Sequence, residues 1–324
     1  MRKTGLTLGK YAPFHKGHQH VIETALAEMD AVVVIVYNAS DVTDVPLATR
    51  AGWIRSIYPG VRVIEAPDGP QVVGDTPAIR ALHEDYLLSR LKISGITHFY
   101  SSEFYGGHIS RALGAVDRQV DPQRRTVPVS GTLIRESPYQ YRHFLDPLVY
   151  RDLIKNIVFL GAPCTGKTTL AEALAQCYDT VWMPEYGREY WEKHQHKRRL
   201  SQAQLLTLAR THLDLENRKL LEANCFLFTD TNVLATLMFA RYYHGSADEP
   251  LEALARQAAH RYHTVFLCDT DIAYEDTWDR SGDGQRKAFQ QAIIDDLKQR
   301  EIPFYVLSGS LEERILRVRK VIGD

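Results

Sequence analysis

At 324 residues the chain has room for roughly two domains, each with a core of its own. Its 39 basic side chains against 40 acidic ones leave no basic field, which argues against nucleic acid as a partner and for small molecules or local contacts. Four cysteines without a C-x-x-C pair, no apolar run of membrane-spanning length and no signal-peptide core after Met1 predict a cytoplasmic protein with reduced thiols and no membrane partner.

In chain order, "GLTLG" (5–9) predicts a first strand, and Val21, Ile22, Ala25 and Leu26 predict the apolar face of a helix over 16–29. The unbroken apolar run "AVVVIVYN" (31–38) predicts a strand covered on both faces, as in a parallel sheet. A helix around 49–58, a strand at 61–66, a helix over 77–91 and a strand at 96–102 follow. Strands alternating with helices imply an α/β domain. The joint falls in "HFLDPLVYRDLIK", where Pro147 marks a turn before a short helix, so the expected domains are 1–150 and 151–324. "KNIVFLG" (155–161) restarts the pattern, with a helix from Lys167 and apolar strands at 225–230, 264–269 and 303–309. The run "KHQHKRR" (193–199) reads as a solvated helix end.

Behind the first strand stands "GKYAPFHKGHQH" (9–20). His15 and His18, three apart, could share a helix face, but no nearby cysteine or carboxylate cluster supplies the third ligand that zinc requires. The same imidazoles suit hydrogen bonds to oxygens gaining charge at the α-phosphorus of ATP. Pro13 and Gly17 would shape the turn, and Gly9 would admit close backbone approach.

In the second half, Gly161, Ala162, Pro163, Cys164, Thr165, Gly166, Lys167, Thr168 and Thr169 fit G-x-x-x-x-G-K-[ST] between a strand and a helix. Such a loop curls its N–H groups around ATP phosphates, with Lys167 on the β/γ-phosphates and the Thr168 hydroxyl on magnesium. Glu185 reads either as a base for the hydroxyl that attacks the γ-phosphate or as an acidic helix start. Asp230, at a strand end, reads either as the acid on magnesium or its water or, with Asn232, as a helix cap. The polar stretch 268–286 reads as a lid carrying Arg280 and Arg286, or as an ordinary charged loop.

Gly9-x-Tyr11-x-Pro13-x-His15-x-Gly17-His18 resembles the first signature of the nucleotidyltransferase superfamily, and Ser130, Thr132 and Arg135 in "SGTLIRESP" resemble its second. The resemblance implies a Rossmann-like domain in which Gly9, Lys10, Tyr11, Ser130, Thr132 and Arg135 hold ATP, while His15, His18 and Arg135 stabilise the α-phosphate and the leaving pyrophosphate. Followed by a P-loop kinase-type domain, and with "SSEFYGG" and "PEYGREY" also matching, nearly the whole chain resembles the bifunctional nicotinamide-mononucleotide adenylyltransferase/ribosylnicotinamide kinase family, the NadR-like proteins. That implies a fold of two parallel α/β sheets and two linked reactions: ribosylnicotinamide plus ATP gives nicotinamide mononucleotide, and that plus ATP gives NAD and pyrophosphate. Lys167, Glu185 and Asp230 would serve the kinase, with magnesium as cofactor. Asn38, Arg50, Trp53 and Glu103 sit at strand ends or in the next helix where the nicotinamide nucleotide could be met, Trp53 stacking on the ring or lying in the core. A homo-oligomer is compatible with this reading. The first strand begins within a few residues of Met1, so the helix-turn-helix of repressor members, and their repressor role, are not expected. A fused phosphopantetheine adenylyltransferase/dephospho-coenzyme A kinase and a non-catalytic ATP/NAD sensor are the rival readings.

Overall fold

The computed structural model describes residues 2–103, 105–273 and 283–323, and its chain divides into two compact units, Met1–Leu153 and Ile154–Asp324. The first unit runs β1 (Thr4–Gly9), α1 (Lys16–Glu28), β2 (Ala31–Tyr37), α2 (Leu47–Ile57), β3 (Arg62–Ala66), α3 (Pro77–Asp85), β4 (His98–Ser101), α4 (Gly106–Leu113), β5 (Val116–Gln119), α5 (Gly131–Glu136) and α6 (Pro147–Leu153). All strand pairs are parallel, in the order β3-β2-β1-β4-β5. Residues of period two serve opposite faces: Leu6 and Leu8 with Val33, Ile35 and Tyr37 pack on one side, against Phe99 and Ile109.

The helix predicted over 16–29 forms as α1 and buries Val21, Ile22 and Ala25, but Leu26 is 40% exposed, off the core-facing stripe. The helix predicted over 77–91 divides: α3, capped by the Thr76 hydroxyl with Pro77 in its first turn, gives way to one π-helical stretch, Tyr86–Arg90. The strand β5 is an edge strand whose residues are all exposed, so it lacks an apolar pattern.

The second unit runs β6 (Lys155–Leu160), α7 (Lys167–Cys177), β7 (Trp182–Met183), α8 (Tyr186–His194), α9 (Gln202–Glu222), β8 (Phe226–Asp230), α10 (Val233–His244), α11 (Glu249–Ala258), β9 (Thr264–Cys268), α12 (Asp283–Gln299), β10 (Tyr305–Leu307) and α13 (Leu311–Ile322). Its parallel order is β10-β9-β6-β8-β7, with β6 in the centre. Val158, Leu160, Val265 and Leu267 face α9 to α12, while Ile157, Phe159, Phe266 and Cys268 face α7 and α13. Capping boxes start α9 (Ser201 with Gln204) and α13 (Ser310 with Glu313). In each unit the first strand lies mid-sheet with later strands on either side. Such a switch in strand order opens a crevice at the carboxyl ends of the strands.

Candidate active sites

A cavity of about 440 Å³ opens at the carboxyl ends of β1, β2 and β4, lined by Gly9, His15, His18 and Arg135 at one part and Tyr37 and His108 at another. His15 is the N-cap of α1: its Nδ1 accepts from the Gly17 N–H at 3.1 Å, and its own N–H donates to His18 Nδ1 at 3.4 Å. The two rings stack with centroids 3.7 Å apart. A Cβ on Gly17 would stand 2.9 Å from His15 Cε1, so only glycine lets this ring cap the helix. At Gly9 an added Cβ would meet only the Tyr11 ring, at 3.5 Å or more.

With both Nδ1 atoms accepting from the backbone, neutral rings carry their protons on Nε2. Burial, with nearby Arg124 and Arg135 adding to it, pushes His15 down to about 4, and burial, His15 and Arg124 hold His18 well below the usual histidine value. Both rings are therefore neutral hydrogen-bond donors at pH 7. Unfolded, they would protonate near 6.5, so between pH 6.5 and about 4 the unfolded chain binds more protons and the fold loses stability as pH falls. Urea unfolding of the first unit at pH 7.5 and pH 5 should differ by about 1–3 kcal/mol in that direction. A flat profile would show that the imidazoles are not buried as described.

Ser130 caps α5 by accepting from the Leu133 N–H, and Arg135 donates to Ala12 O at 2.5 Å and to the Thr132 hydroxyl at 3.2 Å, tying the second motif to the first. Lys10 pairs with Asp41 at 2.5 Å. Glu103 lines the cavity and pairs with Arg124 at 2.9 Å. The other three residues expected at the nicotinamide nucleotide lie elsewhere. Arg50 is 1% exposed and donates to Val45 O, Tyr37 O and Lys10 O, bolting loops together. Trp53 is core, its indole N–H on Asp152 at 2.8 Å, and Asn38 accepts from the Ala39 N–H. None of the three lines the cavity. Arg124, which sequence reasoning missed, stands on a loop held by three backbone N–H groups on Asp121, a feature with no motif of its own.

The second unit carries a cavity of about 480 Å³ between the glycine-rich loop and α8, α9, α10 and α12. The loop needs its glycines: Gly161 has φ 143° and Gly166 φ 79°, and a Cβ on Gly161 would stand 2.7 Å from Cys268 O. Its carbonyls are held by two buried guanidinium groups, Arg286 on Cys164 O at 3.1 Å and Arg314 on Thr165 O at 2.7 Å. Arg286, expected in a lid, is instead in the first turn of α12; Arg280 lies outside the described residues. Thr165 donates its hydroxyl to Ala162 O at 2.9 Å, and buried Lys167 rests its Nζ on the same carbonyl at 3.0 Å. Pro163, Cys164, Thr168 and Thr169 line the cavity with them.

Asn232, not Asp230, caps α10, accepting from the Leu234 and Ala235 N–H groups. Asp230 is fully buried; its Oδ2 accepts from the Thr168 hydroxyl at 2.5 Å and its Oδ1 has no hydrogen-bond partner. Burial and the Glu185 charge push its carboxyl up to about 6, against the pull of Lys167 and Thr168. Such an anionic atom, orphaned beside a threonine hydroxyl, fits a divalent cation whose other ligands are phosphate oxygens and water. Among the described residues no group of three His, Cys, Asp or Glu side chains could hold a metal by itself. Glu185, on the cavity wall, precedes α8 without capping it and stands 3.7 Å from Arg188.

A cytidylyltransferase-like family model matches residues 6–137 and an AAA domain model residues 156–314. The chain is 25% identical over its whole length to the trifunctional NAD biosynthesis/regulator protein NadR of Salmonella typhimurium, covering 84% of that protein. It is 24% identical to the Escherichia coli protein of the same name, over 99% of the chain and 83% of that protein. A crystal structure of NadR in complex with NAD and AMP-PNP shares the fold over the full chain and 97% of its own, with TM-score 0.60 and 21% identity; one in complex with NR gives 0.59 and 20%. Among the described residues no helix is long and apolar enough to cross a membrane.

Proposed function

We infer that this chain, homologous along its full length to the NadR proteins, is a bifunctional enzyme that phosphorylates ribosylnicotinamide in its second unit and joins nicotinamide mononucleotide to the AMP of ATP in its first. One observation supports the reading: each unit has its own cavity, one around two stacked histidines, the other around a glycine-rich loop. Both reactions use ATP, and the setting we propose is the cytoplasm.

In the first unit the 5′-phosphate of the mononucleotide attacks the α-phosphorus of ATP, the bond to the β-phosphate oxygen breaks, and pyrophosphate leaves. Charge grows on the α-phosphate and on the leaving group. The Nε2–H groups of His15 and His18 and the Arg135 guanidinium are the donors that meet it, pre-set by the capping bonds and by Ala12 O. Gly9, Lys10, Tyr11 and Thr132, which line the cavity, hold the ATP around them, with Ser130 setting the start of α5 behind them, and Glu103 meets the acceptor. In the second unit the ribosyl 5′-hydroxyl attacks the γ-phosphorus and ADP leaves. Lys167 swings from Ala162 O to the β/γ-phosphates, and Glu185 takes the hydroxyl proton. Thr168 and Asp230 would hold magnesium, which would neutralise phosphate charge.

Supplying ATP with nicotinamide mononucleotide, and in parallel with phosphopantetheine, tests the reading against its rival. NAD and pyrophosphate should form from the first alone; turnover of the second, or of neither, overturns it.

The two carboxylates separate by chemistry. Asp230→Asn should cut kinase rate by about 10²-fold or more at ordinary magnesium, and excess magnesium should restore part of it. Glu185→Gln should cut it with no magnesium rescue. Rescue of the Glu185 variant alone would show the roles reversed.

A further inference from the structure

Among the described residues, three lysine or arginine side chains line the second cavity: Lys167, Arg188 and Arg286. Two of them are engaged. Lys167 rests on Ala162 O, and Arg286 donates to the carbonyls of Cys164 and Ile272. Arg188 stands in the first turn of α8, with 55% of its side chain exposed. Among the described residues it makes no hydrogen bond, and its one ion-pair partner is Glu185, at 3.7 Å.

The helix gives no reason for this arginine. A cation in a first turn meets the positive end of the helix dipole, where an acidic side chain such as Glu189 is favoured. Glu189 itself pairs onward with Lys193 at 2.6 Å, which leaves Arg188 outside the helix's own charge ladder. The cavity does supply a reason. To reach the hydroxyl that attacks the γ-phosphate, the Glu185 anion must come close to a group that is itself anionic. Lys167 serves the phosphates from the loop, so the acceptor side calls for a cation of its own. Arg188, three residues after Glu185, is on that side and lines the same cavity. Its charge is felt at the phosphate end too: burial and Glu185 raise the Asp230 carboxyl, and Lys167, Thr168 and, least, Arg188 lower it. A guanidinium fork matches two oxygens of one phosphoryl group, and its N–H groups are not committed to Glu185.

We propose that Arg188 is a catalytic residue of the second unit, donating from the acceptor side to the phosphoryl group as it passes from ATP to the riboside. The inference rests on the riboside-kinase reading. The bond from the 5′-oxygen to the γ-phosphorus forms as the bond to the ADP oxygen breaks. The hydroxyl proton goes to Glu185, whose carboxylate thereby loses its charge. Arg188 is then released from that carboxyl, and its donors meet the charge spread over the phosphoryl oxygens.

The test is kcat and KM for riboside phosphorylation in wild type, Arg188→Ala, Arg188→Lys, Glu185→Gln and the Glu185→Gln/Arg188→Ala double variant. Arg188→Ala should lower kcat by about 10²-fold or more while KM for the riboside changes about threefold or less. Arg188→Lys, a point charge without the fork, should recover only part of that rate. Guanidinium ion at millimolar concentration should speed the alanine variant and leave wild type unchanged, a rescue that a folding defect would not allow. The double variant should be slower than Glu185→Gln by a further factor of about 10 or more, because base and phosphate are separate targets. A double variant no slower than Glu185→Gln overturns the proposal, since Arg188 would then only place the base. An alanine variant with wild-type kcat overturns it as well. Wild type that leaves the riboside unphosphorylated overturns the underlying kinase reading instead.

Discussion

Lys167→Ala is expected to lower ribosylnicotinamide phosphorylation by about 10²–10³ while NAD formation from nicotinamide mononucleotide stays at the wild-type rate. The magnitude is that of removing one pre-set donor from a charge that grows in the transition state. Lys167 is buried in the first turn of α7, and its ammonium rests on a carbonyl of the loop it serves. A triphosphate on the loop offers that ammonium stronger partners, so the resting contact is one that a ligand can replace. The first unit has a compact core of its own, and the described residues that line its cavity all belong to it. Parallel collapse of both activities would show that the two sites work as one.

His18→Ala should give the mirror image, with adenylyl transfer down by about 10²–10³ and riboside phosphorylation intact. Part of the loss in this variant is structural, because His18 Nδ1 accepts from the His15 N–H and its ring stacks on both His15 and Phe14. His18→Asn retains an acceptor for that N–H but removes the Nε2 donor. If the donor to phosphate matters, the asparagine variant should be nearly as slow as alanine while unfolding at a higher urea concentration. An asparagine variant with wild-type rate would reduce His18 to a helix cap.

Most strands could be read from the sequence because they are buried on both faces: β2 is apolar throughout and β9 at all but its first residue, while β6 and β8 carry the unbroken apolar runs Ile157–Leu160 and Phe226–Phe228. The strand β5, an exposed edge of sequence VDRQ, carries no such signal. The glycine-rich loop and the histidine turn were legible because local backbone geometry demands particular residues, as at Gly17 and Gly161. Residues that act across the fold were not. Arg50 and Trp53 looked placed for a ligand, yet tertiary packing drew the first onto three backbone carbonyls and the second into the core. Arg124 and Arg314 gain their positions only when distant segments meet, and no local pattern marks them.

The central claim, two reactions in series on one chain, is tested most directly by following label into NAD from unlabelled ribosylnicotinamide and ATP. With ATP labelled at the γ-phosphate, the label should appear in the nicotinamide-mononucleotide half of NAD. With ATP labelled at the α-phosphate, it should appear in the AMP half, and pyrophosphate and ADP should form in equal amounts. NAD labelled in the AMP half alone, or no NAD from the riboside while the mononucleotide is still converted, would contradict it.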